Sequence, residues 1–125
     1  MATKQILVVD DEDDIREVAQ LSLEMIGNWA VLTARSGQEG LTKAEAEQPD
    51  AILLDVMMPD IDGPTTFQQL QNMPAICHIP VILMTAKVQA SDQRRFAGLG
   101  IKGVIAKPFD PLTLAAQVAT TLGWQ

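Results

Sequence analysis

Five short runs rich in Ile, Leu and Val recur along this chain, each followed by a stretch with helical patterning. The runs span residues 5–10, 29–34, 51–55, 80–85 and 103–106. They lack strict polar alternation, as expected of strands covered on both faces of a parallel sheet. Parallel neighbours need crossovers, and helices supply them in a right-handed sense. The pattern therefore predicts one α/β domain over residues 1–125, a doubly wound parallel sheet with five strands and five helices.

The helical stretches carry their own end signals. The first sets Ile15, Val18, Ala19, Ser22, Met25 and Ile26 on one side and stops at Gly27, with Asp13 or Asp14 available as a cap. The second opens with Ser36 and Glu39 as a capping box and ends before Pro49. The third starts near Gly63-Pro64 and stops before Pro74. A short fourth is expected around residues 91–99. The fifth starts at Asp110-Pro111, as cap and first residue, and stacks Leu114, Ala115, Val118 and Leu122 before Gly123.

Composition narrows the function classes. A net charge of −7 argues against nonspecific binding to nucleic acid or an anionic membrane. The apolar runs are strand-sized, too short for a membrane span, and the opening "MATKQILVVDDE" lacks a signal-peptide layout. Cys77 is the single cysteine, so an internal disulfide is impossible and a reducing, cytoplasmic setting is expected. It reads as a small, partly buried thiol.

In doubly wound sheets ligands bind outside the carboxyl ends of the strands, so the residues that end each run matter most. These are Asp10-Asp11, Asp55, Thr85-Ala86 and Lys107-Pro108. Asp10, Asp11 and Asp55 would repel one another unless a cation lay between them, and all-oxygen donors suit Mg2+. Lys107 adds a fixed positive charge. The set fits phosphoryl transfer: a carboxylate nucleophile, with metal, ammonium and hydroxyl neutralising the transferred group. Asp55, alone at the end of its strand, is the expected nucleophile. Asp10 and Asp11 are the expected metal ligands, and Thr85 and Lys107 the contacts to the phosphoryl group.

The motifs "ILVVDDE", "LLDVMMPDIDG", "VILMTA" and "VIAKPF" stand in this order along the whole chain. With them the sequence resembles the receiver domains of two-component response regulators, in particular the single-domain chemotaxis receivers. The resemblance implies a flavodoxin-like fold with strand order 2-1-3-4-5. It implies that Asp55 takes phosphate from a histidine kinase or histidine phosphotransfer protein. The Mg2+ ligands would be Asp10, Asp11, Asp55 and the Met57 carbonyl. Thr85 would turn toward the phosphate, and a cis bond would join Lys107 to Pro108. The chain would be a switch rather than a turnover enzyme, signalling to a downstream protein through its fourth helix, fifth strand and fifth helix. With no output domain expected after Trp124-Gln125, protein–protein contact is the expected output.

The sequence departs from the family pattern in two ways. Many receivers carry an aromatic residue three positions before the active-site lysine; Val104 stands there, and the chain has no tyrosine. Met57 and Lys87, each two residues beyond a site residue, flank the expected water path; apolar Met57 predicts slow loss of phosphate. Three rival readings meet the sequence differently. A haloacid-dehalogenase-type phosphatase needs a second acid where Met57 stands. A flavodoxin would find its phosphate repelled by "DDEDD". A receiver-fold scaffold that never uses phosphorylation would need no intact site. His78 reads as a surface residue, Arg94-Arg95 as a solvated face, and Trp29 and Trp124 as partly buried anchors.

Overall fold

The computed structural model describes residues 3–86, 94, 96 and 98–124. Its strands are β1 (Gln5–Val9), β2 (Ala30–Ala34), β3 (Ala51–Asp55), β4 (Val81–Thr85) and β5 (Gly103–Ala106). Among the described residues there are four helices: α1 (Asp13–Met25), α2 (Gly37–Glu47), α3 (Gly63–Gln71) and α4 (Leu114–Leu122). The expected fourth helix, at 91–99, falls mostly outside the described residues. The strands form one parallel sheet ordered β2-β1-β3-β4-β5.

Alternate residues of the central strands feed two cores. On one face Leu7, Val9, Ile52, Leu54, Val81 and Leu83 meet Leu41 and Ala44 of α2 and Phe67 and Leu70 of α3. On the other, Ile6, Val8, Leu53, Ile82 and Met84 meet Ala19 and Leu23 of α1 and Leu114, Ala115 and Val118 of α4. Both faces of β3 and β4 are dry, which is why their sequences read as continuous apolar runs.

Several helix details differ from the expectation. In α1 the buried residues are Ala19, Ser22 and Leu23. Val18, Met25 and Ile26, expected to face inward, are exposed, Met25 by 76%. With Leu21, Pro111 and Leu112 they line an open groove of about 400 Å3. The α1 stripe is ambiguous because apolar residues cover more than half of the helix circumference, and Leu23 and Ala19 are the ones packed in the core with Ile6, Val8 and Leu53. Asp13 and Asp14 occupy the first turn of α1, and the cap position is Glu12, which makes no side-chain cap bond. Helix α4 starts at Leu114, three residues later than expected, with Thr113 at its cap position. Asp110 still organises the entry: its carboxylate accepts from the Leu112 N–H at 2.9 Å and its carbonyl from Leu114 N–H at 3.0 Å.

The other ends follow the reading. Ser36 Oγ accepts from Glu39 N–H at 3.1 Å, while the Glu39 carboxylate turns to Arg35 N–H at 2.8 Å. Asp62 caps α3 by accepting from Thr65 N–H at 2.7 Å. Cys77 is exposed, which corrects the expectation of a partly buried thiol: its turn leaves the side chain outside while Ile76 takes the core position.

Because all neighbouring strands are parallel, their carboxyl ends share one edge. The residues beyond Val9, at Asp55, at Thr85 and beyond Ala106 are therefore gathered together.

Candidate active site

Asp10 follows the last residue of β1, and its N–H donates to the Ala34 carbonyl of β2 at 3.1 Å. This continues the ladder by one residue and fixes the side chain at the sheet edge. Asp55 is the last residue of β3. Both carboxylates are buried, Asp10 at 0% and Asp55 at 3% exposure. Two buried acids need cationic or hydrogen-bonding partners.

Lys107 provides the cation. It lies one residue past β5, held by its N–H on the Thr85 carbonyl at 2.9 Å. Its Nζ donates to Asp10 Oδ2 at 2.8 Å and to Asp55 Oδ1 at 3.1 Å. The remaining Asp10 oxygen, Oδ1, accepts from Glu12 N–H at 2.9 Å. The Lys107–Pro108 peptide is cis, as the resemblance implies.

The electrostatics follow from this crowding. Burial, with the Asp10 charge adding to it, pushes the Asp55 carboxyl up from 3.8 to about 6; Lys107 and the Met57 N–H pull the other way. For Lys107, burial works against the charge, but hydrogen bonds and attraction from Asp10 and Asp55 raise its affinity for the proton overall. The ammonium therefore remains charged at neutral pH.

Asp11, unlike Asp10 and Asp55, is not buried. Carboxylate oxygens of Asp10, Asp11 and Asp55 lie within 4.8 Å of one another. A compact all-oxygen donor set with room for retained water fits Mg2+ better than softer metals. Asp11 also lines a depression of about 370 Å3 with Met57, Met58, Pro59 and Asp62, which opens the site to a donor. Thr85 is 3% exposed at the same edge, paired in register with Ala106. Met57 is exposed on the rim, and its backbone N–H bonds the Asp55 carboxylate.

The fold thus brings together every residue expected at the site: Asp10, Asp11, Asp55, Met57, Thr85 and Lys107. Lys87 lies outside the described residues. Two contributors were missed. Arg16 donates to the Asp10 carbonyl at 2.8 Å and pairs with Asp13, tying the first turn of α1 to the β1 end. Its i,i+3 spacing from Asp13 was visible, but nothing marked the Asp10 carbonyl as its other target. Asp60 accepts from N–H groups of α2, a long-range contact with no sequence periodicity behind it.

A family model described as the response regulator receiver domain matches residues 6–119. The chain belongs to the response regulator receiver family. The receiver is 41% identical over 119 residues to the alkaline phosphatase synthesis transcriptional regulatory protein PhoP of Bacillus subtilis, covering 95% of this chain and 48% of that protein. It is 36% identical to the DNA-binding dual master transcriptional regulator RpaA of Synechocystis, covering 94% of this chain and 48% of that one. The chain thus spans about half the length of these curated relatives. Among solved structures, the chemotaxis protein CheY4 of Vibrio cholerae superposes with a TM-score of 0.88 at 28% identity, covering 96% of this chain and 99% of that one. A putative response regulator from Chloroflexus aurantiacus superposes with a TM-score of 0.87 at 32% identity, covering 98% and 99%.

Proposed function

We propose that this receiver is a phosphorylation switch in which Asp55 accepts a phosphoryl group from a phosphohistidine of a kinase or phosphotransfer protein. One observation carries the reading: a single lysine bridges two buried carboxylates, Asp10 and Asp55, with a third carboxylate close enough to share a cation. A structural ion pair needs one acid. Three acids and one lysine leave excess negative charge at the strand ends, which suits a divalent cation.

Asp10, Asp11 and Asp55 would hold Mg2+, with the Met57 carbonyl as a further ligand. When bound, the ion offsets negative charge on the carboxylates and on the phosphoryl oxygens. The protein's own groups do the positioning. An Asp55 oxygen forms the new O–P bond as the P–N bond of the donor breaks, its electron pair returning to the imidazole. Lys107, charged at neutral pH, neutralises the transferred group, and the Thr85 hydroxyl donates to one of its oxygens. The resulting phosphate biases an equilibrium between two receiver conformations that a partner protein reads. Turnover of free substrates is not part of this role.

The relatives PhoP and RpaA are transcriptional regulators by name, and RpaA is named as DNA-binding. With its charge of −7, the receiver itself is proposed to act through protein contacts, in the cytoplasm, rather than on nucleic acid or membrane.

The test is intact-protein mass after incubation with acetyl phosphate, with and without Mg2+, beside Asp55→Asn. A single-phosphoryl gain that requires both Mg2+ and Asp55 is expected. No gain in folded, Mg2+-loaded protein would sink the reading and leave a receiver-fold scaffold.

A further inference from the structure

The segment between β3 and α3 carries Met57, yet it is pinned at a distance from the carboxylates by a residue the site chemistry does not use. The Asp60 carboxylate reaches the first turn of α2. Its Oδ1 accepts from Gly37 N–H at 3.2 Å and its Oδ2 from Gln38 N–H at 3.1 Å. The Asp60 carboxyl also takes backbone N–H bonds from Ile61 and from its own residue. Every neighbour it engages is a donor.

Packing reinforces the same junction. A Cβ on Gly37 would stand 2.4 Å from Thr66 Oγ1 and 2.6 Å from Ile61 Cγ1, so the α2 entry and this segment touch with no space for a side chain. At the other end of the segment, Gly63 N–H donates to the Val56 carbonyl at 2.9 Å, and a Cβ there would stand 2.5 Å from the Asp55 carbonyl oxygen. The chain from Val56 to Gly63 is therefore a closed loop clamped at its root and pinned at Asp60. Met57 lies between those two fixed points, with its N–H on the Asp55 carboxylate.

We propose that Asp60 is a positioning residue for the cation site: by tethering this loop to the start of α2 it sets the Met57 peptide, and with it the Mg2+ affinity of the receiver. This rests on the reading of the carboxylate cluster as a Mg2+ site. The tether acts through backbone geometry alone, since Asp60 is not among the clustered carboxylates. Asn at this position keeps one acceptor oxygen but turns an NH2 against the other α2 donor, so Asp60→Asn loses one of the two tethering bonds at constant size. Gln38→Pro breaks it from the other side by removing one N–H. Helix α3 already accommodates the same arrangement, with Gly63-Pro64 directly after its cap.

The experiment is isothermal titration of the metal-free full chain with MgCl2, paired with the melting temperature of each metal-free protein. For both Asp60→Asn and Gln38→Pro, Mg2+ binding is expected to weaken by about tenfold, the low end of what outer supports of metal sites provide. The double variant should lose little more than either single one. Asp60→Glu, which keeps an acceptor-only group, should recover part of the affinity. Unchanged Mg2+ affinity in a folded Asp60→Asn, with only a lower melting temperature, would make Asp60 a plain helix cap and overturn the proposal. If Asp60→Asn does not fold, unchanged affinity in Gln38→Pro overturns it equally. Failure of the unmodified chain to bind Mg2+ would defeat the cation-site reading itself, a separate outcome.

Discussion

Asp55 holds a carboxyl whose proton affinity is raised by burial and by Asp10, to about 6 from 3.8. The sign of the stability effect follows. Between pH 4 and 6 the folded, metal-free protein binds more protons at Asp55 than the unfolded chain, so this residue's contribution falls as pH rises and levels off above pH 6. A shift of this size corresponds to roughly 2–3 kcal/mol. Asp55→Asn removes the charge and keeps an oxygen for Lys107 to donate to. The variant should therefore be more stable than the parent at neutral pH in EDTA, and the two should converge near pH 4. Urea midpoints across that range measure this, and parallel profiles for the two proteins would refute it. Met57 belongs to the same scale. Its exposed thioether is at best a weak acceptor for a hydrolytic water, so Met57→Asn should shorten the lifetime of the aspartyl phosphate several-fold, read by phosphate release after removal of donor. An unchanged lifetime would mean that water reaches the phosphorus without passing this side chain.

At the scale of elements, α1 supplies a direct comparison. Leu23 is fully buried against the core, whereas Met25, two residues on, is 76% exposed. Leu23→Ala should cost about 2–5 kcal/mol, and Met25→Ala less than about 0.5 kcal/mol. Chemical denaturation of the two variants distinguishes this face from the one that the sequence pattern favours. The difference also shows what a sequence can and cannot convey. Strands β3 and β4 were legible because both faces are buried and every position before the closing Asp55 and Thr85 is apolar. The strand-end residues were legible because a parallel sheet leaves them one place to meet. In α1, by contrast, Val18, Leu21, Leu23, Met25 and Ile26 offer more than one apolar stripe, and only the shape of the sheet beneath chooses between them. The start of α4 drifted because Asp110 and Pro111 open a turn that precedes the helix. Asp60 was illegible for a different reason: its partners are backbone N–H groups 22 and 23 residues away, which no local pattern records.

Across the whole molecule, the parallel sheet separates its two edges. Asp10, Asp55, Thr85 and Lys107 occupy the carboxyl edge. The tryptophans sit at the opposite one: Trp29 just precedes β2, Trp124 follows α4, and Lys4 just precedes β1. Trp29 and Trp124 meet edge to face with centroids 5.1 Å apart, and Lys4 Nζ stands 5.1 Å from the Trp124 ring. The pair joins the end of the last helix to the start of the sheet, so its emission should report global unfolding and ignore events at the carboxylates. Mg2+ at about ten times its dissociation constant adds about 1.4 kcal/mol to stability. For a domain of this size that raises the melting temperature by roughly 5 °C. A fluorescence melt should show this shift in midpoint while the emission of the folded protein at 25 °C stays the same with or without the ion. A change in folded-state emission on adding Mg2+ would mean that the two edges are mechanically linked through the sheet or through α4. Their separation would then hold for the chemistry of the site and fail for its motion.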